Sequence, residues 1–345
     1  MGDPKPRPAT SISSSGRWIL AAAVLGSGIV FLDSTVVNVA LPRIGRDLPR
    51  AFLGMLEGQS YVYNSYLLTL SSLLILGGAL TDYYGRRRMF LLGLVGFGAT
   101  SLLCGVAPTM ETLVLFRILQ GAAGALLVPG SLALITANFS DEQRGRAFGV
   151  WAGASGLTAI LGPLVGGVLV DTISWRVAFL INLPIVAVAL WLTWRHVPES
   201  RDDQASSHFD WLGATVVALA VGGLAFGAIY GQQRAWRDPI GYAALGIGVV
   251  ATTALPILMI RSAHPLIPMG LFRSRNFSVT NDSTLVIYGS LYATSYYLTL
   301  FQQETLGYTA AAAGAGAIPG SLFLVFFSTQ FGGPRRAGSW PQGRS

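Results

Sequence analysis

Two charged residues lie more than one helical turn inside long apolar runs of this sequence, Asp33 and Arg117. If such a run crosses a bilayer, a carboxylate there costs roughly 2.5–3.5 kcal/mol on insertion scales, and residues of this kind are usually paired and functional. Taken as helices rising ~1.5 Å per residue, Asp33 lies about 12 Å from the outer end of its run and Arg117 about 6 Å from the outer end of its own. The long Arg117 side chain can therefore reach Asp33. Burial favours the neutral acid, and a neighbouring guanidinium favours the carboxylate. Arrival of a substrate or closure of a cavity would tip that balance and release or take up a proton. The plainer alternative is a static ion pair that holds two helices together.

Other polar residues of the apolar runs, Asn38, Gln120, Asn182, Tyr288 and Gln302, are candidates to line a cavity; their spacing does not say which way each faces. Asp282, one turn inside the cytoplasmic end of the ninth run, and Glu304, just outside its outer end, read as solvated caps. Gly145, Gly149 and Gly153 recur every four residues, followed by Gly162 and Gly166. A helix face without side chains lets another helix backbone pack against it. Pro163 removes a backbone hydrogen bond and invites a kink there. The segment Gly78-Ala79-Leu80-Thr81-Asp82-Tyr83-Tyr84-Gly85-Arg86-Arg87-Arg88 is a short basic loop. Gly78 allows close approach of a helix, Gly85 can take the positive φ of a tight turn, and Asp82 can pair with Arg86 across it. No catalytic set is present: His196, His208 and His264 are too dispersed for a metal site. No Gly-rich phosphate loop with Lys occurs, so no cofactor or nucleotide is expected. Cys104 is the single cysteine and reads as a small buried hydrophobe.

The elements that must position these residues follow from composition. Of 345 residues, 52% are hydrophobic and 11% charged. A soluble globule carries about 25% charged residues, so much of this surface must face lipid. Ten runs are long enough, at roughly 18–25 residues, to span a bilayer as helices. They are Trp18–Leu41, Tyr61–Leu80, Met89–Ala107, Leu113–Ala137, Ala147–Val170, Val177–Trp194, Trp211–Gly231, Ile240–Ile260, Val279–Phe301 and Ala310–Phe331. With the N-terminus placed inside, 16 of the 23 Lys and Arg fall in cytoplasmic segments and six in outer ones. The positive-inside rule then puts both termini in the cytoplasm. The net charge of +7 is topological rather than a signature of nucleic-acid binding. The expected organisation is a polar tail, 1–16; a six-helix bundle, 17–196; a cytoplasmic linker with two extra helices, 197–278; two further helices, 279–331; and a polar tail, 332–345.

Four segments carry a family resemblance. The loop from Gly78 to Arg88 resembles the cytoplasmic signature of the major facilitator superfamily, in which Gly78, Asp82, Gly85, Arg86 and Arg87 take the gating-loop positions. Leu32-Asp33-Ser34-Thr35-Val36-Val37-Asn38-Val39-Ala40-Leu41-Pro42 resembles the first-helix motif of its drug–proton antiporters with fourteen spanning helices. Arg117-Ile118-Leu119-Gln120-Gly121 resembles the fourth-helix motif. Gly156 with Gly162-Pro163-Leu164-Val165-Gly166-Gly167 resembles the fifth-helix motif, associated with exporters.

The resemblance implies an all-α membrane protein with the major facilitator fold. Here it comprises an N-terminal six-helix bundle, two linker helices and the first two helices of an incomplete second bundle. It implies a plasma-membrane exporter of drug-like or amphipathic molecules, driven by protons and not an enzyme. Its partners are the lipid bilayer, a small-molecule substrate and protons, and the expected state is a monomer. The competing expectation is a truncated fragment that does not transport, because four helices of a fourteen-spanner are missing and the stretch after about Phe331 loses its apolar character.

Overall fold

The computed structural model describes residues 14–201, 209–262 and 264–307. Within them the chain is helical: α1 (Ser14–Asp47), α2 (Met55–Tyr84), α3 (Arg86–Gly105), α4 (Met110–Asn138), α5 (Asp141–Thr172), α6 (Val177–Leu180), α7 (Asn182–His196), α8 (Trp211–Gln233), α9 (Pro239–Arg261) and α10 (Arg275–Leu300). A 3-10 turn precedes α10 and a π turn follows it. Eight helical segments among the described residues, α1 to α9 with α6 and α7 counted as one, are long and apolar enough to cross a membrane; α10, which covers the ninth expected run, is not among them. The tenth expected run, Ala310–Phe331, both tails beyond these limits and residues 202–208 of the linker lie outside the described residues.

The helices outrun the apolar stretches that predict them. α1 continues past Leu41 through Pro42 to Asp47, where Arg43 pairs with Asp47 one turn on at 3.6 Å. An apolar run marks the part of a helix that meets lipid, and i,i+4 ion pairs let the helix extend beyond it. The sixth run is broken at Ile181, which joins α6 to α7. α10 starts at Arg275, so Asp282 is an exposed residue within the helix rather than a cap.

The first seven helices form one bundle: α1 packs on α4, α5 and α7, and α2 and α3 pack on α4. Its core is two apolar clusters. One joins Ile29, Val30, Tyr66, Phe90, Phe97, Leu127 and Val186 with their neighbours. The other joins Val36, Val37, Val62, Cys104, Leu113, Trp175 and Phe179 with theirs. Large apolar side chains are also exposed on the outside, Leu164 at 67% and Val250 at 66% among them. A surface apolar on both its inner and outer faces is what lipid as solvent requires. α8 and α9 form a hairpin whose α8 lies against α2.

Loops are tied by side chains. Glu111 Oε1 accepts the backbone N–H groups of Ala51, Phe52 and Leu53 at 2.9–3.2 Å, fixing the α1–α2 loop to the start of α4. Asp210 caps α8 through Gly213 N at 2.8 Å, and Asp238 caps α9 through Ile240 N at 2.9 Å. Each satisfies an N–H that a helix start leaves without an intrahelical partner.

Candidate functional site

Between the two apolar clusters lies a polar layer. On α1 it falls between Val30 and Val36, on α3 between Phe97 and Cys104, on α4 between Leu113 and Leu127, and on α6–α7 between Phe179 and Val186. The residues at that level are Asp33, Ser101, Arg117, Gln120 and Asn182, each with a relative exposure of 0%.

Asp33 is the hub. One carboxylate oxygen accepts Arg117 Nη1 in a short ion pair. The other accepts Asn182 Nδ2 at 3.0 Å and Gln120 Nε2 at 3.1 Å. Arg117 is held from three further sides: Nη1 also donates to Gln120 Oε1 at 2.8 Å, Nε donates to the Val62 carbonyl at 3.1 Å, and the guanidinium lies 3.9 Å over the Tyr66 ring. A buried charge pair is tolerated when its remaining lone pairs and protons find partners, and here nearly all do. Two atoms do not. Arg117 Nη2 and Asn182 Oδ1 are buried with no hydrogen-bond partner among the described residues. The site therefore holds one spare donor and one spare acceptor beside a carboxylate.

Ser101 and Tyr66 belong to this site although sequence reasoning passed over both. Ser101 Oγ accepts Asn182 Nδ2 at 3.0 Å and Gln120 Nε2 at 3.3 Å, and donates to the Phe179 carbonyl at 2.9 Å. That carbonyl lies just before the helix break at Ile181, and in lipid a freed backbone group needs such a partner. Tyr66 OH donates to the Val30 carbonyl at 3.1 Å, which joins α2 to α1 one turn from Asp33. Cys104 is buried, its Sγ 3.5 Å from Gln120 Oε1. Of the other cavity candidates, Asn38 is exposed on α1. Tyr288 is exposed on α10, and Gln302 falls in the π turn after it. None of these three joins the cluster.

The glycine expectations resolve into two kinds. A Cβ at Gly162 would collide with Thr35 Oγ1, and one at Gly166 would come within 2.9 Å of Val36 Cγ1 and 3.1 Å of its Cα. These two glycines let α5 ride directly on the α1 turn that follows Asp33. Gly167 meets Val39 at an ordinary 3.9 Å, Pro163 is exposed, and Gly156 is half-buried on the same helix. By contrast, a Cβ at Gly149 would meet nothing within 4 Å. At that position the first glycine series faces open space rather than a packed helix.

The α2–α3 loop takes the conformation its glycine allows. Gly85 has φ of 111°, and Asp82 pairs with Arg86 at 3.1 Å. The close approach falls to Gly77, whose Cβ would strike the Ala125 carbonyl, while Gly78 meets Pro129 Cβ at an ordinary 3.5 Å. Glu199, not singled out from sequence, accepts the backbone N–H groups of Arg87 at 3.1 Å and Arg88 at 3.2 Å. A carboxylate at a helix N-terminus meets both unpaired donors and the positive end of the dipole. Arg86 N donates to the Ser200 carbonyl at 2.8 Å, and Arg87 Nη2 to the Trp194 carbonyl at 2.8 Å. The signal available was an acidic residue in a polar segment that follows a spanning helix.

A bundle of spanning helices with a fully buried carboxylate–guanidinium pair in its mid-layer is the architecture of a membrane transporter. The chain belongs to the Major Facilitator Superfamily, whose model matches residues 23–343. It is 35% identical over 317 residues to the methylenomycin A resistance protein of Bacillus subtilis (strain 168), covering 92% of this chain and 66% of the relative. It is 36% identical to the puromycin resistance protein pur8 of Streptomyces alboniger, covering 90% and 61%. It is 33% identical to the multidrug resistance protein Stp of Mycobacterium tuberculosis (strain CDC 1551 / Oshkosh), covering 91% and 58%. The chain thus spans about three-fifths to two-thirds of the length of these relatives. Among solved structures, the human organic anion transporter MFSD10 superposes with a TM-score of 0.62 at 17% identity, covering 93% of this chain and 72% of that one. That likeness concerns the fold. The family and these relatives are transporters and resistance proteins, not enzymes.

Proposed function

We propose that this chain is the working part of a secondary exporter that trades inward protons for outward drug-like or amphipathic compounds, with Asp33 as the proton carrier. The observation that carries the reading is the fully buried Asp33–Arg117 pair with an unused donor and an unused acceptor beside it. Ionised, Asp33 holds Arg117, Gln120 and Asn182 together. Protonation removes its charge, and the guanidinium loses its counter-ion. Arg117 then turns to another acceptor, and the α1–α4 contact loosens. Because Gly162 and Gly166 seat α5 on α1 next to Asp33, α5 follows. In this reading those glycines make an interface inside the bundle along which α5 slides on α1. Each proton moved inward contributes about 2.3 kcal/mol per 100 mV of membrane potential. The relatives named for antibiotic and multidrug resistance support cargo of this class. Both termini lie in the cytoplasm, the cell membrane is the site of action, and the unit is a monomer.

The test is an efflux assay in inverted vesicles that contain the chain and a pH-sensitive dye, with puromycin as probe compound. Substrate-dependent collapse of an imposed proton gradient is expected. A gradient indifferent to substrate at saturating concentration would count against the proposal.

A further inference from the structure

The α8–α9 hairpin is closely built and firmly attached. A Cβ at Gly223 would lie 2.8 Å from the Gly248 backbone, and one at Gly241 would lie 2.9 Å from Gly231 Cα, so the two helices meet backbone to backbone. The hairpin is fastened to α2 by the Arg234–Glu57 ion pair and by Gln233 donating to Ser60. Further along, a Cβ at Gly222 would approach Ser72 Oγ to 2.9 Å. Between these fixed points α8 stands away from the bundle.

The space left is a cavity of about 210 Å³ with walls from α2, α4 and α8. Leu68, Val114, Ile118 and Ile229 line it together with the rings of Tyr61, Phe226 and Tyr230, and no charged residue does. Phe226 and Tyr230 are stacked with centroids 5.3 Å apart. Most polar groups of the wall are already engaged: Thr69 Oγ1 donates to the Ser65 carbonyl, Asn64 Nδ2 to Ser60 Oγ, and Tyr230 OH to Asp238. Ser65 Oγ is buried and has no partner among the described residues. Val114 and Ile118 project from α4 about a quarter turn round from Arg117. The cavity is therefore separate from the buried charge pair.

We propose that this cavity is a second binding site, walled by the extra hairpin, for an uncharged aromatic compound that bears one hydrogen-bond acceptor. The volume exceeds the ~150 Å³ of an apolar cavity that holds benzene, so a substituted ring or two rings fit. A charged ligand is disfavoured, since no wall group would pair with it after desolvation. An acyl chain would fill the space but leave the Ser65 hydroxyl unmatched and make no use of the rings, which favour offset or edge contacts with another ring.

The test uses benzophenone, an uncharged aromatic ketone that crosslinks on illumination. The full chain is placed in nanodiscs of dioleoylphosphatidylcholine, and labelled peptides are mapped by mass spectrometry. No proton gradient exists in this system, so the outcome is independent of whether the chain exports anything. Saturable labelling is expected on the peptides that carry Val114–Ile118 and Phe226–Tyr230. Val114→Phe, which fills the cavity, should abolish saturation. Ser65→Ala should raise the half-saturating concentration about five-fold, the worth of one net hydrogen bond, and remains informative if the larger variant fails to fold. Labelling that never saturates, that falls equally on the lipid-facing α9 residues Val249 and Val250, or that is blocked by a retained phospholipid would overturn the proposal.

Discussion

Replacing Asp33 by Asn leaves Arg117 buried, charged and without its counter-ion. Removing one partner of a buried ion pair costs about 3–5 kcal/mol. The surroundings make the upper part of that range the expectation. Asp33 accepts from three donors, Arg117 Nη1, Gln120 Nε2 and Asn182 Nδ2, and the amide N–H₂ of an asparagine turns one of those contacts into donor against donor. Arg117→Gln should cost about as much by the same principle, since the carboxylate is then stranded. The double variant Asp33→Asn/Arg117→Gln strands no charge, so its loss should fall well short of the sum, with a coupling of about 2–3 kcal/mol. The assay is a double-mutant cycle on unfolding in mixed micelles, followed through tryptophan fluorescence; Trp175 is buried in the cluster next to the site. Additivity within about 0.5 kcal/mol, the scatter seen for independent sites, would refute the claim that the two charges depend on each other.

Gly166→Leu should cripple transport while the chain stays in the membrane, because Val36 occupies the space a side chain needs, whereas Gly149→Leu should be tolerated; transport assays on the pair check this. Gly85→Ala should destabilise the α2–α3 loop by about 1–3 kcal/mol, the cost of a Cβ in a sparsely populated positive-φ conformation, read as faster proteolysis between α2 and α3. Tags at residue 1, near Gln204 and at the C-terminus should all be shielded from impermeant labels in intact cells, from the placement of basic residues; labelling of any one contradicts the orientation.

Sequence reading reaches members of the buried polar cluster wherever a residue type is out of place in its surroundings. Asp33 and Arg117 stand out because charge is rare in apolar runs, and the glycines of α5 stand out through spacing. Ser101 and Tyr66 escaped because hydroxyls are ordinary in spanning helices, where they commonly bond their own backbone, as Thr35 does with Leu32 at 2.9 Å. Asn38 lies five residues after Asp33, a helical rotation of about 140° that carries it away from the face of Asp33. Gln120 follows Arg117 by three residues and so shares its face. The choice between Gly77 and Gly78 as the contact with α4 depends on helix rotation, which apolar residues all round a spanning helix do not encode. The break at Ile181 does have a trace in the sequence, since Pro184 three residues on lacks the N–H that would bond the Leu180 carbonyl. Glu199 lies 112 residues from the Arg87 N–H it caps, a contact only the folded bundle creates.

Proton movement that depends on Asp33 is the direct test of the account. In inverted vesicles with a pH-sensitive dye, wild type should release the imposed gradient when puromycin is added. Asp33→Asn should show no release, and neither should Asp33→Asn/Arg117→Gln, the variant expected to keep its fold. Release of wild-type size in Asp33→Asn would contradict the assignment of the proton to this carboxylate.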